Sequence, residues 1–188
     1  MMMNDLEIRQ ALISKELEII GVEDAHIQPC SVDLTLDDTM VEFCGCEYVD
    51  ITKETPSTRT RTGLKYIELG PGEFVLLQTH EYLKLPGDIC ATCTGRSSIG
   101  RLGLTVHVTA GFIDPGFEGT LTLEVKNVSK NTYKIPCGIR ICQLLFFRIN
   151  KPRQTYATKN GSGKYQGQNM PTPSKIFEDT ECEYLGVE

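Results

Sequence analysis

Between Gly95 and Val125 the sequence GRSSIGRLGLTVHVTAGFIDPGFEGTLTLEV gathers the densest set of reactive side chains in the chain. It opens with Gly95-Arg96-Ser97-Ser98, a guanidinium and two hydroxyls directly after a glycine. Arginine supplies forked, charge-assisted donors, serine supplies short ones, and backbone N–H groups beside a glycine complete a cradle suited to phosphate oxygens. Arg101 follows Ser97 by four residues, so one helical turn sets both on the same face. Two carboxylates come next. Asp114 precedes Pro115-Gly116, where Asp commonly opens a turn; its functional alternative is a carboxylate aimed at a hydroxyl or a water. Glu124 closes Thr120-Leu-Thr-Leu-Glu, and strand alternation puts it on the face of Thr120 and Thr122. Taken alone, a strand glutamate reads as a solvated residue.

Positioning these groups requires short strands held by tight turns. Asn4 is a helix cap before Leu6, Ile8, Ala11, Leu12 and Ile13, whose spacing predicts a short N-terminal helix ending near Lys15 to Leu17. From Ser31 the period becomes two, and SVDLTL, EFVLLQT, GTLTLEV and YKIPCGIRICQLLFFRI read as strands. Breakers recur at Leu69-Gly-Pro-Gly, Leu85-Pro-Gly-Asp, Asp114-Pro-Gly and Pro136-Cys-Gly. The expectation is a mainly β protein: an antiparallel sandwich, jelly roll or barrel. After Asn150 the chain turns polar, basic and rich in Gly and Ser, which predicts a flexible C-terminal tail or lid. The organisation expected is one domain over 1–188: an N-terminal helical part at 1–20, a β core at 28–150 and a tail at 151–188.

With 188 residues, 40% of them hydrophobic and 23% charged, the chain has the composition of an ordinary globular domain. A net charge of -6 argues against nucleic acid or an anionic membrane as the main partner, though one local cationic cluster suffices for a small polyanion. No apolar run reaches membrane-spanning length, and MMMNDLEIRQ is charged too early for a signal peptide, so the chain is read as cytoplasmic. Eight cysteines are present. Cys90-Ala-Thr-Cys93 has zinc-knuckle spacing, with Cys44-Gly-Cys46 as an imaginable partner pair, but the apolar surroundings of Cys90 and Cys142 favour buried structural thiols.

Six pieces in order carry a resemblance: Gln28-Pro-Cys-Ser-Val-Asp-Leu, Gly95-Arg-Ser-Ser-Ile-Gly-Arg-Leu-Gly, His107 to Gly119, Leu121-Thr-Leu-Glu, Arg140-Ile-Cys-Gln-Leu and Gly163-Lys-Tyr-Gln-Gly-Gln. Together they resemble the dCTP deaminase branch of the dUTPase superfamily, above all its bifunctional dCTP deaminase/dUTPase members. Segment 37–68 lies outside the matches. The resemblance implies a β-clip, dUTPase-like distorted jelly-roll barrel assembled as a homotrimer, with active sites at subunit interfaces. It implies Glu124 as the general base for the water attacking C4 of cytosine, with Ser97 and Arg101 around that water and the developing tetrahedral centre. The backbone of Val108 and Ala110 would hold base and water, and Asp114 would receive the deoxyribose 3′-hydroxyl. Arg96, Ser97, Ser98, Tyr156, Lys164 and Gln168 match triphosphate contacts, the last three on a tail expected to reach across from a neighbouring subunit. His107 reads equally well as a structural histidine or as a group near the base.

Within this branch, deaminase-only members carry His-Arg where this chain has Gly111-Phe112, and the latter resembles the bifunctional pattern. Gln143 resembles the dUTPase glutamine facing the α-phosphate, and GKYQGQNMPTPS is similar to the bifunctional tail. Thr94 departs from the resemblance, since relatives place an acidic residue there. The implied activity is conversion of dCTP to dUMP, ammonia and pyrophosphate, supplying dUMP for dTMP synthesis, with dCTP and dUTP as ligands and dTTP as a candidate inhibitor. The alternatives are a deaminase releasing dUTP, a dUTPase alone, or a non-catalytic nucleotide-binding trimer. Zinc deaminases need H-x-E with P-C-x-x-C, whereas His107 precedes Val108-Thr109 and Ile89 precedes Cys90. Deamination is therefore expected without zinc, and magnesium is expected to enter on the triphosphate.

Overall fold

The structure, a computed structural model, describes residues 1–45, 48–54, 57–159 and 163–184, with side chains as far as Cys182. Asn4 caps α1 (Asp5–Ile13) through a reciprocal box: the Glu7 N–H donates to Asn4 Oδ1 at 3.0 Å and the Asn4 N–H to Glu7 Oε2 at 2.9 Å. Ile8 and Ala11 bury its inner face. Lys15 then takes a left-handed φ of 59°, which ends the helix short of residue 20. The following residues form a strand instead, β1 (Glu18–Ile20), paired with β6.

The remaining strands are β2 (Ile27–Gln28), β3 (Ser31–Phe43), β4 (Thr58–Arg61), β5 (Tyr66–Leu69), β6 (Phe74–Lys84), β7 (Ile89–Gly95), β8 (Leu104–Thr105), β9 (Phe112–Ile113), β10 (Glu118–Asn127), β11 (Tyr133–Pro136) and β12 (Arg140–Arg148). One curled antiparallel sheet runs β8-β10-β6-β3-β12-β7-β9, with β1 added on β6 and with β2 and β4 on β3. β11 and β5 form a separate two-stranded sheet. The run YKIPCGIRICQLLFFRI is thus two strands in two sheets, split at the Gly138 turn, where φ is +83°. Leu34, Leu77, Leu83, Ile89, Leu123, Leu144 and Phe146 are fully buried between the sheet's curled faces. The mainly β, jelly-roll-like architecture with a short N-terminal helix is the one expected.

Alternation misleads at one place. SVDLTL predicts polar side chains facing water, yet Ser31 through Leu36 are all buried, Asp33 to 2% exposure. β3 is central in the sheet and covered on both faces, so its polar residues need partners inside the protein. Thr35 finds one in Glu81 of β6, a fully buried carboxylate that accepts from the Thr35 N–H at 2.9 Å and from its hydroxyl at 2.7 Å. This bond occurs where the β3–β6 and β3–β12 registers both shift, so Glu81 satisfies an N–H the ladder has lost. Asp33 has two arginines.

Part of the tail lies against the barrel. Gln168 makes a parallel bridge to Gly119, its carbonyl accepting from the Thr120 N–H at 2.9 Å. Further on, the Thr172 N–H donates to Thr122 Oγ1 at 3.1 Å, and the chain ends its described part in α3 (Thr180–Tyr184). No helix among the described residues is long and apolar enough to cross a membrane.

Candidate active site

β10 carries the carboxylate at the centre of the site. A bulge against β6 between Thr120 and Thr122 changes the strand's phase, so Thr120 turns inward to Gln78 while Thr122 and Glu124 share the outer face. The Glu124 carboxylate accepts from the Val108 N–H at 2.7 Å and the Thr109 N–H at 3.2 Å. Val108 therefore meets Glu124 through its backbone, its N–H spent on that carboxylate. The loop offering these donors is pinned to β7 by the Cys93 N–H, which donates to the Gly111 carbonyl at 2.7 Å. Only glycine fits at 111: a Cβ there would lie 2.8 Å from the Cys93 carbonyl and 3.2 Å from the His107 ring. His107 packs under the loop with Nδ1 buried and unpartnered.

In front of Glu124 lies a cavity of about 390 Å³, large enough for a nucleoside. Ala110, Asp114, Thr122 and Glu124 supply polar and backbone groups, and Phe112, Phe117 and Leu121 supply apolar wall. The tail closes the opposite side with Tyr156, Tyr165 and Gln168. Tyr156 packs on Phe117 with ring centroids 5.8 Å apart, and its hydroxyl accepts from the Tyr165 N–H at 3.0 Å. Burial pushes the Tyr156 hydroxyl above its ordinary pKa, so the phenol stays protonated at neutral pH. Gln168 donates its side-chain amide to the Thr120 carbonyl at 2.8 Å, which makes it an anchor of the lid as well as part of the wall. Gly119 permits that approach, since a Cβ there would sit 2.8 Å from the Gln168 carbonyl at a φ of +146°. Tyr156 and Gln168 therefore line the cavity of their own chain. Lys164 is not in the wall; Asp179 holds its ammonium at 2.5 Å and, by that hydrogen bond, raises its pKa.

A second cluster stands apart. Arg96, Ser97, Ser98, Arg101 and Gln143 are all absent from the lining of this cavity. Ser97–Gly100 forms the single helical turn α2, and the Arg101 N–H donates to the Ser97 carbonyl at 3.0 Å, the geometry anticipated for that pair. Arg96 forms an ion pair with Asp33, Nε to Oδ2 at 3.1 Å, and donates from Nη1 to the Arg140 carbonyl at 3.0 Å. Arg140 donates from Nη1 to the same Asp33 oxygen at 3.2 Å. Gln143 sits in register with Asp33 on one side and Thr94 on the other.

Of the cysteines, Cys90 and Cys93 are three residues apart on β7 and so point to opposite faces of the sheet. The Cys142 thiol is raised well above its ordinary pKa by a hydrogen bond with Cys93 and by burial, and burial raises that of Cys90. Cys90 and Cys142 are therefore protonated at neutral pH. Cys46 lies outside the described residues.

Sequence reasoning did not single out Asp33, Glu81 or Phe117. Asp33 was inside a matched piece, and its only local signal was an acid among alternating strand residues.

A curled, mainly β sheet with a short N-terminal helix is the fold this chain shares with solved dCTP deaminase and dUTPase structures. The family model for dCTP deaminase-like proteins matches residues 2–149. A protein of Dictyoglomus turgidum named dCTP deaminase, dUMP-forming, is 40% identical over 185 residues, covering 94% of this chain and 95% of that one. Among solved structures, the 2′-deoxycytidine 5′-triphosphate deaminase of Agrobacterium tumefaciens superposes with a TM-score of 0.63 at 21% identity, over 79% of this chain and 48% of that one, so the present chain spans about half its length. A point mutant of the dUTPase from phage phi11 of S. aureus superposes with a TM-score of 0.50 at 17% identity, over 73% of this chain and 94% of that one. The chain belongs to the dCTP deaminase-like family.

Proposed function

We propose that this chain converts dCTP to dUMP, taking up two waters and releasing ammonia and pyrophosphate, in a homotrimer whose sites combine two copies. The observation that carries the reading is Glu124, held by two backbone N–H groups at the wall of a nucleoside-sized cavity that also presents Asp114. Deamination at C4 needs a base for the attacking water and a proton donor for the leaving amine. Glu124 takes the proton from water as oxygen bonds to C4, then returns it to the amine as the C4–N bond breaks and ammonia leaves. Such proton transfer contributes about 10²- to 10⁴-fold, and the remainder falls to positioning. Ser97 and Arg101 stabilise the tetrahedral centre, the backbone of Val108 and Ala110 orients base and water, and Asp114 accepts the sugar 3′-hydroxyl.

A triphosphate needs cations, and no Lys or Arg is among the described residues lining the cavity. Arg96, Ser97, Ser98 and Arg101 of a second copy supply them in this reading, which is the support for an interface site. Gln143 faces the α-phosphate, where a second water displaces pyrophosphate. Tyr156 and Gln168 close the lid over the phosphates, and Lys164 joins them on releasing Asp179. The donor set fits magnesium carried in on phosphate oxygens: among the described residues no group of three or more His, Cys, Asp or Glu is placed to grip an ion. Arg96, Ser97 and Ser98 would then hold the ion through the phosphates, and when bound it neutralises their charge and polarises the α-phosphorus. Bifunctionality over deamination alone is favoured by Gly111, whose contacts with Cys93 and His107 exclude any side chain. The test is incubation with dCTP and magnesium, resolving dUTP, dUMP, pyrophosphate and ammonia. Equal dUMP, pyrophosphate and ammonia support the proposal; accumulating dUTP reduces it to a deaminase, and no turnover of dCTP or dUTP leaves only binding.

A further inference from the structure

We propose that Asp33 is a positioning residue that aims Arg96 at the triphosphate. Its carboxylate is 2% exposed, in the middle of β3, yet two guanidinium groups converge on its Oδ2, Arg96 at 3.1 Å and Arg140 at 3.2 Å. The cluster of one carboxylate and two guanidiniums carries a net charge of +1, so it is left attractive to an anion. Arginine has five N–H donors in a rigid plane. Arg96 is held at Nε by the ion pair with Asp33 and at Nη1 by donation to the Arg140 carbonyl. The Nη2 protons and the second Nη1 proton are left for other partners, and guanidinium N–H groups of this kind grip a phosphate in paired bonds. Fixing Nε and Nη1 therefore also fixes the direction of the free edge.

The backbone extends this control. Asp33, Gln143 and Thr94 are cross-strand neighbours on β3, β12 and β7, and Arg96 and α2 follow Thr94 closely in the chain. The anchored Arg96 thus sets where Ser97 and Ser98 begin. Thr94 is uncharged, which leaves Asp33 as the carboxylate of this row. A carboxylate placed only for stability would be indifferent to which edge of Arg96 stayed free; preorganisation of a two-bonded anion clamp is not.

The inference rests on the reading of Arg96 as a triphosphate contact, and the experiment separates the two. Binding of inorganic triphosphate is measured by calorimetry, together with kcat and KM for dCTP. The proteins are wild type, Asp33→Asn, Asp33→Glu, Arg96→Ala and the Asp33→Asn/Arg96→Ala double variant, each confirmed folded by its melting transition. Losing the charged partner is expected to weaken triphosphate binding and raise KM about tenfold or more, with kcat changing less than about threefold. Asp33→Glu keeps the charge and is expected to recover part of the loss, which provides the reading if the asparagine variant does not fold. In the Arg96→Ala background, Asp33→Asn is expected to change binding less than about twofold, because the route through Arg96 is already gone. An equal loss with and without Arg96, or binding unchanged by Asp33→Asn while Arg96→Ala weakens it, overturns the inference alone. Binding unaffected by Arg96→Ala overturns the phosphate reading beneath it as well.

Discussion

Glu124 and Arg96 face opposite electrostatic problems, and the chain solves them differently. At the cavity, Glu124 is a half-buried carboxylate whose partners are neutral backbone N–H groups from residues 108 and 109. Its neighbours Asp114, Tyr156 and Gln168 include no cation. At the other cluster, Arg96 and Arg140 share a buried carboxylate and leave donors over. Among the described residues lining the cavity there is no Lys or Arg, whereas the other cluster brings two guanidiniums together. In the proposed reading each is half of a site for a deoxynucleoside triphosphate, divided so that neither charge neutralises the other before substrate arrives. A Glu124–Arg96 pair in one chain would have spent both groups on each other.

That division predicts different kinetic faults. Glu124→Gln should lower ammonia release by about 10²- to 10⁴-fold while leaving dCTP binding within a few-fold, measured by coupled ammonia assay and calorimetry. Retained deamination would remove Glu124 from the role of base. Arg96→Ala should instead act mainly on KM, raising it by about 10- to 150-fold, the cost of losing one hydrogen bond to a charged group. Steady-state kinetics with dCTP decide; a fall confined to kcat would place Arg96 in the wrong half. Gly111→Ala should disturb the cavity half alone. The new methyl meets the Cys93 carbonyl, so unfolding free energy should fall by about 1–3 kcal/mol and the N–H donors to Glu124 should shift, while inorganic triphosphate binding stays unchanged.

The smallest effect belongs to neither half. Glu16 accepts two bonds from Arg148, at 2.6 and 2.8 Å, and that hydrogen-bonded partner holds its pKa below the ordinary value. A lowered folded-state pKa gives stability above the unfolded value, near 4.5, that is lost as pH falls through the folded one. Both side chains are about one-third exposed, so the loss attributable to this pair is at most about 1 kcal/mol. Comparing the melting temperature of wild type and Glu16→Gln between pH 7 and 3 checks it: the two curves should converge at the acid end.

Local rules made part of this architecture readable. The Asn4 cap, the Ser97–Arg101 turn and the placement of Glu124 on a strand face depend on residues within one turn or one strand. The partners of Asp33 could not be read that way, because Arg96 and Arg140 reach it only through the order β3-β12-β7. The same limit hid Glu81, whose role depends on register shifts in two strand pairs. Period two marks which residues share a face but not whether that face is covered, and on β3 both are. The tail's contacts were hidden for a related reason: its polar composition promises little core, and the backbone bond from Thr120 to Gln168 and the aromatic contact of Tyr156 with Phe117 join residues far apart in the chain.

The most direct test of two half-sites meeting between copies is complementation. One chain carries Glu124→Gln, the other Arg96→Ala with Arg101→Ala, and each alone is inactive at low dCTP. Unfolded together in equal amounts and refolded as mixed trimers, they should recover activity in about a quarter of the sites, those pairing an intact cavity half with an intact arginine half from different copies. Mixed assemblies of confirmed composition that stay as inactive as either parent would mean that both halves act within one chain, and would contradict the account.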